Sequence, residues 1–196
     1  HSLFVTQDGV RPKHPRWFRQ QEQKLARAQC VLSRRTLGSS GYQKQKVRVA
    51  KIHEDIRNRR KDWIHKLARK VLDYYDVVVV EDIDLVGMAK RGRRRKFGKT
   101  IQDLGFGMLR ELLQSGCEQR GKVFCKADRW FPSSQLCSQC GFQNKSTKDL
   151  SIRTWTCPQC GAQHDRDQNA AQNLVNWYKD HRDDNTGASP EIYAEG

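Results

Sequence analysis

DVVVVEDIDLVGM, residues 76–88, decides the fold class. Four consecutive valines between Asp76 and Glu81 form a short, stiff, β-branched run with no polar alternation. Such a run predicts a strand buried on both faces, the mark of a central strand under helices. Glu81 then stands at the strand's C-terminal end, where α/β sheets present functional groups. Alternation turns Glu81 and Ile83 one way and Asp82 and Asp84 the other, which leaves the three acidic residues as rivals.

The flanking segments read as helices. Val49, Ile52, Ile56, Trp63, Leu67, Val71 and Tyr74 recur at three- to four-residue steps, with one seven-residue stride over Arg60, and predict a helix over 42–75. Phe18, Leu25, Ala28 and Leu32 predict another over 17–35. Before it, SLFVTQDG and VRPKHPRWF predict a strand, an Asp8-Gly9 turn and a short return strand. Downstream, Leu104, Met108, Leu109, Leu112 and Leu113 mark a helix over 102–120, and KVFCKADRWF is a strand. A last helix begins at DRDQNAAQNL, and the polar residues from 179 onward read as a frayed tail. Alternating strands and helices make this an α/β layout with a helix-covered sheet.

Charge narrows the partner. Thirty-seven Lys and Arg against twenty-two Asp and Glu leave a net charge of +15, with a pI near 9.8. A polyanion, nucleic acid first, is the expected partner. No apolar run is long enough to span a membrane, and no signal-peptide pattern is present. Between residues 44 and 70, eleven bases face three acids; Lys44, Lys46, Arg48, Lys51, Arg59 and Arg60 are candidate phosphate contacts. The Gly-broken run KRGRRRKFGK, residues 90–99, adds Arg93, Arg94, Arg95 and Lys96 as a basic loop.

Seven cysteines are an odd number, and four of them form C137-S-Q-C140 and C157-P-Q-C160 with sixteen residues between. That spacing predicts a tetrahedral zinc thiolate site in a reducing, cytoplasmic setting rather than a disulfide framework. Cys137, Cys140, Cys157 and Cys160 complete the coordination sphere, so the zinc is structural, with His164 as a neighbour. Cys30, Cys117 and Cys125 are expected to be buried small hydrophobes. The zinc needs no carboxylate, so Asp165 and Asp167 require a different explanation. Either could cap the helix ahead of QNAAQNL. Alternatively, a carboxylate there and Glu81 share hard divalent ions for phosphodiester hydrolysis.

Taken together, VVVVEDIDLVGM, FPSSQLCSQCGF and RTWTCPQCGAQHDRDQNAAQN resemble the C-terminal half of TnpB (the OrfB family), transposon-encoded RNA-guided DNA nucleases related to type V CRISPR effectors. QEQKLARAQCVLSRRTLGSSGYQKQK and DWIHKLARKVLDYYDVVVVEDI extend the resemblance from residue 1 to about 178. It implies a RuvC-like, RNase H-type mixed sheet with flanking helices and an inserted zinc ribbon. The expected divisions are 1–130 for the nuclease domain, 131–163 for the ribbon, 164–178 for the last helix and 179–196 for the tail. It also implies catalytic, magnesium-binding roles for Glu81 and for Asp167, the later aspartate of D-x-D-x-N, with Asp165 and Asn169 beside it. Guide RNA and target DNA are the implied partners, and Mg²⁺ or Mn²⁺ the catalytic ion. The family's first strand and first carboxylate fall before His1, so residues 1–196 alone are expected not to cut DNA. The alternative is a nuclease-dead or truncated relative that binds DNA or RNA.

Overall fold

The computed structural model describes residues 3–13, 15, 17–84, 87 and 105–182. They divide into two compact units, and the basic run 90–99 lies outside the described residues.

The first unit is helical. Helices α1 (Trp17–Ser33), α2 (Ser40–Tyr74) and α3 (Phe106–Gln119) belong to it. Ser39 caps α2, its hydroxyl accepting the Tyr42 N–H at 3.1 Å. The first half of α2 packs on α1 through Leu25, Ala28, Ile52 and Ile56, with Trp17 and Val49 at the margin. The second half buries Ile64, Ala68 and Leu72, and α3 buries Leu109, Leu113 and Cys117. One apolar stripe through Trp63, Leu67, Val71 and Tyr74 was expected; instead Tyr74 is exposed and the stripe moves one residue on. At about 100° per residue, Ile64–Leu72 lie well over a third of a turn around from Ile52 and Ile56. The seven-residue stride over Arg60 is where α2 exchanges one partner helix for another. Gly105 makes the close approach to α3 possible: its φ is +66°, and a Cβ there would lie 2.4 Å from Ile64 Cδ1.

The second unit holds the strands. β1 (Val77–Glu81) pairs in parallel with β2 (Val123–Ala127), in the register Val77↔Val123 to Glu81↔Ala127. β3 (Thr154–Thr156) and β4 (Gln163–Asp165) form an antiparallel pair, and β4 leads directly into α4 (Arg166–Arg182), which packs on β1 and β2. The strand at 77–81 is present, but its predicted burial on both faces is not. Only Val78 is buried, because among the described residues β1 pairs with β2 alone. The Asp8-Gly9 turn forms, with Gly9 at φ +77° and the Thr6 N–H on the Val10 carbonyl at 3.1 Å. The expected flanking strands are not regular: Pro12 and Pro15 bring no N–H to a ladder.

Three boundaries also differ. The helix expected from 102 is seen from Phe106, residues 101–104 lying outside the description, and α4 continues to Arg182. Residues 183–196 are outside it. Cys117 is buried and Cys125 half-buried as small hydrophobes, but Cys30 is exposed. It follows Ala28 by two residues, about 200° around α1 and away from the α2 contact.

Candidate functional site

The cysteine module is built from two knuckles on a short hairpin. Cys137 N–H donates to the Phe142 carbonyl and Gly141 N–H to the Cys137 carbonyl; Cys157 with Ala162 and Gly161 repeats both bonds. The repeated turn aims both thiols of each pair inward. All four sulfurs lie within 4.8 Å of one another, with Cys137–Cys160 and Cys140–Cys157 at 3.6 Å. A tetrahedron with Zn–S bonds of about 2.3 Å has edges of roughly 3.8 Å. The donor set therefore fits zinc, with no position left for a substrate. Trp155 is buried against Cys137 and Cys157. His164 stacks near Trp155 at 4.8 Å and brings Nε2 to 3.1 Å from Cys137 Sγ, outside the four-sulfur group, as a neighbour. Burial lowers the pKa of the His164 imidazole, which favours its neutral form.

Three asparagines of α4 fasten this module to the helix. Asn169 accepts the Ser138 N–H at 3.0 Å and donates to the Leu136 carbonyl at 2.6 Å. Asn173 donates to the Ser133 and Leu136 carbonyls at 2.7 Å each, and Asn176 to the Ser138 carbonyl at 3.1 Å. Asn173 and Asn176 were missed in the sequence. Their signal was there: Asn is a poor helix former, and three of them at i, i+4 and i+7 on one face indicate a polar job.

The acidic residues separate by partner. Asp165 Oδ1 accepts the N–H groups of Asp167 at 3.1 Å and Gln168 at 3.0 Å, so Asp165 is the N-cap of α4. Burial opposes its charge, but the Gln168 amide and the Arg11 guanidinium prevail and hold its carboxyl below the usual range. Asp167 does no capping. Its Oδ2 lies 3.6 Å from Arg11 Nη1 and 3.7 Å from Arg153 Nη1. On β1, Glu81 Oε1 accepts a hydrogen bond from the Ser133 hydroxyl. Its rivals are engaged elsewhere, Asp82 with Arg129 at 3.1 Å and Asp84 with the Gly87 N–H at 2.8 Å.

The basic face of α2 is not uniform. Arg59 is paired with Asp55 at 2.9 Å, Lys66 with Asp62 at 2.7 Å and Arg69 with Asp73 at 3.7 Å. Lys44, Lys46 and Arg48 have no acidic residue within four positions, and from Trp17 to His53 the chain carries nine Lys and Arg and one acidic residue, Glu22; Lys51 precedes Glu54 and Asp55. Arg60 is half-buried beside Gly105. Arg93, Arg94, Arg95 and Lys96 lie outside the described residues. Among the described residues, no helix is long and apolar enough to cross a membrane.

With this geometry in hand, comparison with known proteins is direct. Residues 2–92 match the probable transposase family OrfB_IS605, and residues 106–174 match the Cas12f1-like TNB domain. A Streptomyces pristinaespiralis protein provisionally named an RNA-guided DNA endonuclease is 37% identical over 89% of this chain and 42% of its own length. InsQ of Escherichia coli K12, with the same provisional name, is 32% identical over 88% of this chain and 46% of its own length. The chain thus spans under half the length of these relatives. A cryo-EM structure of a Cas12f1–sgRNA–target DNA complex aligns with a TM-score of 0.58 at 18% identity, covering 85% of this chain and 43% of that one. Two family matches along the chain, relatives over most of its length and a shared fold converge on one conclusion: the chain belongs to the TnpB-type, or OrfB, family.

Proposed function

We propose that this chain supplies the second and third carboxylates, and the zinc-braced scaffold, of an RNA-guided, Mg²⁺-dependent DNA endonuclease with a RuvC-like, RNase H-type site. The observation that carries the reading is the division of labour between Asp165 and Asp167. With the cap assigned to Asp165, Asp167 stands in the first turn of α4 with no structural hydrogen bond of its own among those above. Helical geometry sets it on one stripe with Ala171, Leu174 and Tyr178, all half-buried. The opposite side of α4 is occupied by the asparagines that hold the ribbon. The helix itself packs on β1, whose last residue is Glu81.

The donor set suits a hard cation. Glu81 is exposed and commits one oxygen to Ser133, and the Arg11 and Arg153 contacts to Asp167 exceed hydrogen-bond length. When bound, Mg²⁺ or Mn²⁺ would stabilise charge on the phosphate and its departing oxygen and acidify the attacking water. Ser133 holds the Glu81 carboxylate in place, and Asn173 holds the Ser133 carbonyl. Arg11 and Arg153 offset the negative charge of Asp167. Guide RNA and target DNA are the partners in this reading, supported by the names of the relatives.

A two-metal site needs a third carboxylate, and Glu81 and Asp167 are two. Purified residues 1–196 with Mg²⁺ or Mn²⁺ are therefore expected to leave single-stranded DNA intact. A polypeptide of the relatives' length containing them, loaded with guide RNA, should cut, and Glu81→Gln or Asp167→Asn should abolish cutting. Robust cleavage by residues 1–196 alone, lost in Glu81→Ala, overturns the incomplete-site claim. Cutting that survives both substitutions in the longer polypeptide overturns the assignment of the carboxylates.

A further inference from the structure

Trp130 is 84% exposed, with its indole in water, while the next residue, Phe131, tucks its ring against Trp177 of α4 at 6.5 Å. Exposed apolar side chains are ordinary when scattered, and Leu37 or Leu150 needs no explanation. Trp130 differs in its position. The segment that carries it leaves β2 at Ala127, level with Glu81 in the parallel register. It returns to Glu81 at Ser133, whose hydroxyl bonds the carboxylate. Between these two anchors Arg129 is tied to Asp82 at 3.1 Å. Both ends of a seven-residue excursion, Ala127 to Ser133, are thus fixed at the candidate carboxylate, and the indole is at its middle.

The excursion is also stiff. Trp130 N–H donates to Asp128 Oδ1 at 2.6 Å, Phe131 N–H to the Asp128 carbonyl at 3.0 Å, and Ser133 N–H to the Phe131 carbonyl at 2.8 Å. Asp128 forms a local side-chain turn that presents Trp130 outward. A large flat ring held in water beside a phosphodiester-cleaving site, on a chain with net charge +15, has the form of a stacking platform for an unpaired base. Trp offers the largest such surface and has only two side-chain torsions to fix.

We propose that Trp130 stacks on an unpaired nucleobase beside Glu81, and so positions a single strand for cleavage. This rests on the nuclease reading above; the stacking contact itself is a binding property of residues 1–196 and is tested without cleavage. The probes are a fluorescein-labelled oligo(dT), the matching oligo(U), a blunt duplex, and an abasic oligonucleotide of equal charge, titrated at fixed salt and read by anisotropy. Tryptophan quenching is read on the unlabelled strands. Trp130→Ala should weaken single-strand binding by roughly five- to a hundred-fold. Trp130→Phe should retain most of it, and both variants should bind the abasic strand and the duplex as the parent does. Quenching by single strands should disappear in Trp130→Phe, since the other tryptophans are buried or half-buried. A larger Trp130 dependence with oligo(dT) identifies the strand as DNA, and with oligo(U) as RNA. Unchanged affinity of Trp130→Ala for both strands, or an equal loss on the abasic strand, overturns the proposal. The two readings separate by readout: single-strand binding that does not depend on Trp130 overturns the stacking contact, whereas Trp130-dependent binding with a longer polypeptide that fails to cut overturns the nuclease reading alone.

Discussion

Two aspartates two residues apart carry different work, and the difference is one of hydrogen-bond accounting. The first turn of α4 leaves N–H groups without helical partners, and Asp165 accepts two of them. Asp165→Ala should therefore cost about 1 kcal/mol of stability in urea denaturation. Asp167→Asn keeps that cap and should change stability by less than about 0.5 kcal/mol. A larger loss for Asp167→Asn than for Asp165→Ala contradicts the assignment. Spacing left capping and metal binding as alternatives for Asp165 and Asp167, and only the family resemblance singled out Asp167, because helix onset is fixed by where β4 ends. Glu81 was ambiguous for the same reason. Alternation gives two faces, and only the placement of Arg129 and Gly87 shows what Asp82 and Asp84 already do.

Periodicity revealed that α2 is a helix but not how it is shared. A single stripe assumes a single neighbour, whereas α2 meets α1 and then α3 on faces that diverge along its length. Gly105 is the tight point of the second contact. Gly105→Ala places a methyl against fully buried Ile64 in a left-handed backbone and should destabilise by about 1–2 kcal/mol on thermal or urea unfolding. Charge divides α2 in the same way. Lys44, Arg48 and Lys51 share a stripe that meets acidic neighbours only at its end, where Lys51 precedes Glu54 and Asp55, while the bases beyond Glu54 are interleaved with carboxylates. Replacing those three with Gln should lower the slope of log affinity against log salt for single-stranded DNA by about 2, at about 0.7 per phosphate contact. The same treatment of Arg59, Lys66 and Arg69 should change it little; equal effects from both triplets would mean that pairing does not govern the interface. The asparagine row on α4 belongs at this scale too. Asn173→Ala strands the Ser133 carbonyl, while the Leu136 carbonyl keeps Asn169, and should cost about 1–3 kcal/mol, more than an exposed amide is worth.

Across the whole molecule, the four-thiol site and the candidate carboxylates must be told apart. The knuckles were legible at once because C-x-x-C is local geometry: each pair closes within one turn, and only the meeting of the two pairs is long-range. The carboxylates were not legible in that way. Glu81 and Asp167 are 86 positions apart, and what links their surroundings runs through Ser133 and Asn173, which no spacing rule marks. That linkage would give a zinc ion bound by the four cysteines a reach beyond its own ligands. The knuckle at 137–140 is held by Asn169, Asn173 and Asn176, and the same Asn173 holds the Ser133 carbonyl whose hydroxyl steadies Glu81. Removing the ion leaves four thiols packed within 4.8 Å with nothing to bind them, a site whose formation free energy belongs to folding. Chelation at neutral pH should release one zinc per chain and shift tryptophan emission to the red as Trp155, now 8% exposed, meets water. The far-UV signal should fall only modestly, because α1, α2 and α3 belong to the other unit. Cys157→Ser should reproduce the shift without chelator, and Cys30→Ser should not. If stripping the zinc instead melts the helices in step with the tryptophan shift, the ion governs the whole fold and is not confined to bracing the strand unit.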